Sequence, residues 1–181
     1  SNTKSNFSFF TKQNKLFIVE TSEDETTKNY YYSTIENESF QFKNFIKDDK
    51  SNLELLNIIN DKFYFSDEKY SWGNISYFDI NNRTENTILI PQVYSHLLVG
   101  ATFLENYIIC KYDNMGKYYM SIHDYTGKFI RKFEAPHNMD FQIRFYDEKT
   151  NDLFVTFYSY TISSLNYKLN ITTGANDIYF N

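Results

Sequence analysis

What this sequence is short of narrows its identity before any motif is sought. Of its 181 residues one is cysteine, two are proline and five are glycine. A lone Cys110 cannot form an internal disulfide, and it excludes any zinc site built from several thiolates. A reducing, cytoplasmic setting is the expectation. So little glycine and proline excludes collagen-like and linker-like chains. No apolar run approaches the roughly 18 to 20 residues that a membrane-spanning helix requires, so no membrane partner is expected. A net charge of -5 and a pI near 5.2, with lysines scattered along the chain, leave no basic surface for nucleic acid. The chain opens Ser1-Asn2 without an initiator methionine, the pattern that tag removal or processing leaves, so the lack of a signal peptide excludes nothing.

Catalytic signatures are equally scarce. The glycines, at 73, 100, 116, 127 and 174, never fall four apart, which excludes a Gly-x-Ser-x-Gly nucleophile turn. There is no Gly-x-Gly-x-x-Gly and no phosphate-binding loop. His96, His123 and His137 each lack a second His or a Cys at metal-ligand spacing. His123 adjoins Asp124, but neighbours in a strand point to opposite faces, so Asp124 reads as the start of a turn rather than as half of a dyad. Glu20, Glu23, Asp24 and Glu25 lack the glycine and the alternation of a calcium loop and read as a solvated segment. Asn6, Asn37, Asn74, Asn82 and Asn170 each head an Asn-x-Ser/Thr triplet, which a chain this rich in asparagine produces by chance. The residues nominate no catalytic group, no metal site and no cofactor.

What the chain does have is aromatic. It carries 17 Tyr, 18 Phe and 1 Trp, one residue in five, and such side chains sit well on a pleated, half-buried surface. They recur in four blocks, residues 7–48, 53–92, 96–137 and 140–181, each with about four short apolar runs. In the third block the runs are Leu97–Phe103, Tyr107–Tyr112, Tyr118–His123 and Lys128–Glu134; in the fourth, Phe141–Phe145, Asp152–Tyr158, Leu165–Asn170 and Asn176–Phe180. After the third run of the last three blocks comes Asp79, Asp124 or Asn170, each able to bond the backbone two residues on, with Gly127 or Gly174 supplying a positive φ. A period of about 40 to 45 residues with four strands per period predicts an all-β fold, a β-propeller of about four four-stranded blades. The aromatics are then expected to fill the gaps between blades. The first block is the weakest copy, because Ser22-Glu23-Asp24-Glu25 opens a long polar loop inside it.

Particular strings go further. Ile88-Leu89-Ile90-Pro91-Gln92, Asp124-Tyr125-Thr126-Gly127-Lys128-Phe129-Ile130-Arg131, Ala135-Pro136, and Asp152–Thr161 running into Tyr167–Gly174 resemble the prolyl oligopeptidase family of serine peptidases. Lys62–Glu68 and Ile75–Ile80 are similar to the preceding blade of that family's propeller. The resemblance implies a partial propeller: a single domain over residues 1–181, the second half of a seven-bladed ring whose triad lies in a separate hydrolase domain. No triad residue carries over. The implied role is to gate proline-containing peptides on their way to that hydrolase domain, which is also the implied partner. In the family an arginine and a cysteine of one loop approach the substrate; Thr21 and Asp24 stand at those positions here, marking a chamber-facing loop whose contact is altered. Ser71 and Ser163 stand where family turns often have proline, and Asn74 where an arginine is common. The alternative is a free-standing propeller that binds a protein partner, and a truncated six-bladed binding propeller ranks below it. Four blades cannot close a ring of seven, so the terminal faces are expected to drive self-association.

Overall fold

The computed structural model describes residues 5–12, 15–23, 27–34, 41–48, 53–67, 69–81, 86–161 and 163–180. Strands follow one another along the chain in groups of four, and within each group each pairs with the next, giving four four-stranded antiparallel sheets. The first holds β1 (Ser5–Lys12), β2 (Lys15–Ser22), β3 (Lys28–Thr34) and β4 (Lys43–Asp48). The second holds β5 (Leu53–Ile59), β6 (Lys62–Asp67), β7 (Ile75–Asp79) and β8 (Thr87–Ile90). The third holds β9 (Leu97–Phe103), β10 (Ile108–Asn114), β11 (Lys117–His123) and β12 (Phe129–Glu134). A single turn of 3-10 helix, Pro136–Asn138, leads to the fourth, with β13 (Asp140–Asp147), β14 (Asp152–Tyr158), β15 (Leu165–Asn170) and β16 (Asn176–Phe180). This is the all-β, four-bladed plan that the block period predicts.

Turn chemistry fixes the register. Asn114 pairs with Lys117 across Met115-Gly116, whose φ angles of 53° and 82° are those of a two-residue hairpin turn twisted like its strands. Asn60-Asp61, at 48° and 60°, makes the same turn between β5 and β6. Asp79 accepts the Asn81 N–H at 2.8 Å, and Asp124 accepts the N–H groups of Thr126 at 2.8 Å and Lys128 at 3.1 Å. Asn170 departs from the expected pattern: it accepts from Thr173, three residues on, because the turn before β16 is one residue wider. Asp67, Asp113 and Asp147 bond nearby N–H groups in the same manner.

Two compact units result, Ser1–Lys69 with Ser76–Thr87, and Tyr70–Ile75 with Ile88–Asn181. In the first unit Phe17, Tyr30 and Tyr32 of the first sheet cluster with Ile58, Phe63, Phe65 and Ile80. Phe17 meets Phe63 edge to face at 5.4 Å and Tyr30 meets Phe65 likewise at 5.5 Å, the arrangement ring quadrupoles favour. Each buried ring contributes about 1.5 to 3 kcal/mol by leaving water. Two polar ties cross the same gap: Lys15 to Asp61 at 2.6 Å and the Tyr30 hydroxyl to the Leu53 carbonyl at 2.8 Å.

The core of the second unit is more aliphatic than the composition suggests. Ile109, Met120, Ile122 and Phe133 of the third sheet pack with Met139, Phe141, Leu153, Val155, Phe157, Leu169 and Ile171. Many rings lie outside it, among them Phe129, Phe145, Tyr160 and Tyr179, all exposed. At one edge Lys111 bonds Asp140 and lies 5.1 Å over the ring of Phe141. At another, Arg131 donates through Nε to the Ile171 carbonyl at 2.9 Å and through Nη2 to that of Thr172 at 2.8 Å.

Gly127 is required twice over, by its φ of 85° and because a Cβ there would stand 2.2 Å from the Leu89 carbonyl oxygen. Gly116, with φ of 82°, faces open space. Gly116→Ala is expected to cost about 1 kcal/mol, the left-handed conformation alone, and Gly127→Ala upward of about 2 kcal/mol. Urea denaturation of the two variants checks this; equal losses would show that the Leu89 contact relaxes freely.

Candidate functional site

Strand alternation places Ser121 and His123, two residues apart, on one face of β11. Ser121 Oγ lies 2.8 Å from His123 Nε2, while Nδ1 lies 3.3 Å from the Gly127 carbonyl oxygen. An Nδ1–H tautomer therefore donates to the backbone and leaves Nε2 to accept the serine proton. The parts match an activated nucleophile, but both side chains are buried, at 8% and 9% exposure, and a substrate has no approach. The pair instead closes the β11–β12 turn. Asp124, as its sequence position suggests, serves that turn and not the imidazole. Neighbouring residues offered His123-Asp124; the informative spacing was i, i+2.

His96 lies with Nδ1 2.6 Å from the Tyr119 hydroxyl, and Tyr119 stacks on Tyr112 at 5.1 Å with the Lys132 ammonium 4.2 Å over its ring. Burial pushes the Tyr119 hydroxyl up to about 12. Burial does the same to Cys110, which has no exposed surface and stays a thiol, so it is no nucleophile. His137 is exposed on the 3-10 turn.

Thr21 lies within β2, half-buried and paired with Lys28. Asp24 and Glu25 fall outside the described residues, and Glu23 is exposed. Glu20 accepts from the Tyr31 hydroxyl at 2.9 Å and the Asn29 amide at 3.2 Å. These bonds, Tyr31's above all, hold its carboxyl below the usual range despite some burial. Among the described residues no three His, Cys, Asp or Glu side chains gather as a metal site would require, and no helix is long and apolar enough to cross a membrane. Of the Asn-x-Ser/Thr triplets, Asn74 is buried, and Asn170 spends its amide on the Thr150 carbonyl and Asp152. Asn6 is exposed, and Asn37 and Asn82 lie outside the described residues.

Among the described residues, exposed aromatic side chains gather on one face of the first sheet and on one face of the fourth. On the first sheet Phe9, Ile18 and Tyr31 form one row across β1, β2 and β3, and Phe7, Glu20 and Asn29 the next. On the fourth sheet a cleft of about 520 Å³ is lined by Arg144, Phe145, Phe154, Thr156, Asn166 and Tyr179 among others. A bulge in β13 between Ile143 and Phe145 sets Arg144 there, its Nε donating to Thr156 Oγ1 at 3.1 Å.

Residues 3–180 match the family model described as prolyl oligopeptidase, N-terminal beta-propeller domain. The chain belongs to the prolyl oligopeptidase N-terminal β-propeller family. Solved structures agree in fold. A prolyl endopeptidase superposes with a TM-score of 0.77 at 16% identity over 97% of this chain and 26% of its own. Prolyl oligopeptidase B from Galerina marginata, bound to a 35mer hydrolysis and macrocyclization substrate, gives 0.77 at 10% identity over 96% and 26%. Oligopeptidase B from Trypanosoma brucei, with covalently bound antipain, gives 0.69 at 12% identity over 96% and 27%. This propeller chain thus spans about a quarter of the length of its solved relatives. No curated protein sequence matches it at a significant level.

Burial holds the pKa of His123 below its usual value, outweighing the Gly127 carbonyl and Asp124, which pull it up. The unfolded chain then takes up a proton where the folded one does not, so stability falls as pH drops below about 6.5. Hydrogen-bonded carboxylates such as Asp61 contribute only to losses at lower pH, since their unfolded pKa is near 3.9. Thermal melts between pH 7 and 5 are expected to decline for the native chain and to flatten for His123→Asn. A native profile as flat as the variant's would disprove the assignment.

Proposed function

We propose that this chain is the non-catalytic propeller region of a prolyl oligopeptidase-type serine peptidase, and that it controls which peptides reach a hydrolase domain lying outside these residues. The observation that carries the reading is the family match over residues 3–180 in a chain spanning about a quarter of its solved relatives. In support, Ser121, the serine hydrogen-bonded to His123, is buried, and the chain's single thiol is sealed in the core. The four sheets act as consecutive blades of one propeller domain over residues 1–181. Proline-containing peptides are the substrates that pass it, and the hydrolase domain is its partner. Thr21, near the end of β2, and Asp24, three residues on in sequence, stand where the family has an arginine and a cysteine that approach the substrate; a threonine and a carboxylate there remove a cationic contact to the peptide. A cytoplasmic setting accords with a single buried cysteine.

The purified chain is expected to leave a proline-containing chromogenic peptide uncleaved, and the surrounding reading frame to continue into a Gly-x-Ser-x-Gly segment. Turnover by the chain alone, blocked by a serine-reactive fluorophosphonate, would overturn the non-catalytic assignment. A reading frame with no hydrolase segment would favour the free-standing binding propeller instead.

A further inference from the structure

The third and fourth sheets close on each other through Met120, Phe133, Phe141 and Phe157. Toward their last strands the contact opens into a cleft of about 390 Å³, with β12 on one wall and β15 and β16 on the other. Both walls belong to this chain and the floor is its own core, since Phe133, Phe157 and Leu169 are all buried. Arg131 pairs with Ile122 in the β11–β12 ladder and so shares the core-facing side of its strand; Asn176 pairs with Leu169 and stands on the opposite wall. A guanidinium is a fork of N–H donors with no acceptor. Arg131 spends Nε and one N–H of Nη2 on the carbonyls of Ile171 and Thr172, which fixes its plane. The N–H groups of Nη1 and the other of Nη2 have no partner among the described residues. Gly174 lines the cleft at that unspent end, because a Cβ there would stand 2.2 Å from Nη1. No carboxylate among the described residues meets Arg131, whereas Lys132 beside it is neutralised by Glu134 at 2.9 Å. The cleft therefore holds one fixed, unspent positive charge above an apolar floor.

We propose that this cleft binds a small ligand that ends in a carboxylate and carries an apolar body the size of one ring. The carboxylate takes the free N–H groups of Arg131, the body lies on Phe133, Phe157 and Tyr167, and the Asn176 amide meets a polar group beside the carboxylate. An inorganic anion would match the charge and leave the floor wet, and a neutral apolar molecule would cover the floor and bring Arg131 no acceptor. A free aryl carboxylic acid and the C-terminal end of a short peptide share the required chemistry. They differ in the amide next to the carboxylate, which Asn176 is placed to read. The site lies between two sheets of one unit and needs no peptidase activity in the parent protein.

Chemical-shift titration of the isotopically labelled chain tests it, with N-acetyl-phenylalanine and phenylpropionate as probes. The backbone amides of Gly174 and Asn176 are expected to shift and to saturate with Kd on the order of 1 mM. Tighter binding of N-acetyl-phenylalanine marks a peptide end as the ligand, and tighter binding of phenylpropionate a free acid. N-acetyl-phenylalanine amide, which keeps the ring and lacks the charge, is expected to bind at least about tenfold more weakly than its acid. Inorganic phosphate, which covers none of the floor, is expected to be weaker by a similar factor. Arg131→Gln is expected to abolish the difference between acid and amide. That change also breaks the tie to Ile171 and Thr172, so Asn176, exposed and outside the tie, supplies a second test. Asn176→Lys is expected to tighten N-acetyl-phenylalanine about three- to fivefold and Asn176→Asp to weaken it by as much, with circular dichroism showing each variant folded. An amide bound as tightly as its acid, folded Asn176 variants indifferent to charge, or no shift at Gly174 and Asn176 at several times that concentration would each overturn the proposal.

Discussion

Phe17 meets Phe63 edge to face, and Ile109, Met120 and Phe133 cluster with Phe141, Leu153 and Val155; in each unit one sheet covers a face its neighbour cannot leave wet. A four-stranded sheet with apolar residues on both faces has no stable existence alone, since strand alternation gives every second residue to each side and only one side can pack on a given neighbour. Chain order then follows. Consecutive hairpins build a sheet cheaply, because each strand needs only a short turn to find its partner, and the next sheet along the chain is the nearest object able to cover it. The strand order, the turn chemistry and the composition of the cores all serve that covering.

Apolar faces slide easily, so register between sheets depends on the few polar groups that cross the gap. Asp140 shows how one such group is kept. Burial alone would raise its pKa, but Lys111, the Phe141 N–H at 2.6 Å and the Tyr158 hydroxyl at 3.0 Å together hold it down. The charge is thereby retained at the rim of an otherwise apolar contact, where its position fixes which residue faces which. Arg131 does the same work with backbone carbonyls as acceptors, and it crowds Gly174 so closely that a Cβ there would stand 2.2 Å from Nη1. These ties are individually modest. Their value lies in rejecting the neighbouring registers, in which a partly buried ion would lose its partner.

Much of this was legible in the residues. Leu165–Asn170 and Asn176–Phe180 are strands with the bounds their apolar runs suggest, because turn residues flank them closely. Asp124 starts its turn as read, since an Asx side chain bonding two residues on is a local event that needs no tertiary context. What spacing along one strand cannot carry is contact between sheets. Arg131 with the carbonyls of Ile171 and Thr172 spans about forty residues of sequence, and nothing local marks the arginine for it. Ser121 and His123 were within reach of a period-two reading, yet their burial, which decides that they are structural, depends on packing. Bulges such as the one that turns Arg144 out onto its face were equally invisible, because an extra residue in a strand leaves no compositional trace.

The same distinction explains how a chain can share a fold with prolyl oligopeptidases at 10% to 16% identity. Covering a sheet face asks for a side chain that is apolar and about the right size, so Phe, Tyr, Ile, Leu, Met and Val exchange with little cost provided the period is kept. A turn asks for an Asx residue or a glycine at one place and tolerates anything nearby. Such demands preserve a pattern while letting identity drift. A substrate contact is different, because an arginine that meets a peptide carboxylate or carbonyl has no isostere among neutral residues. Thr21 shows what a strand position alone requires: it pairs with Lys28 in the β2–β3 ladder, and that pairing asks nothing specific of the side chain. Family membership therefore rests on what pleated sheets require of one another.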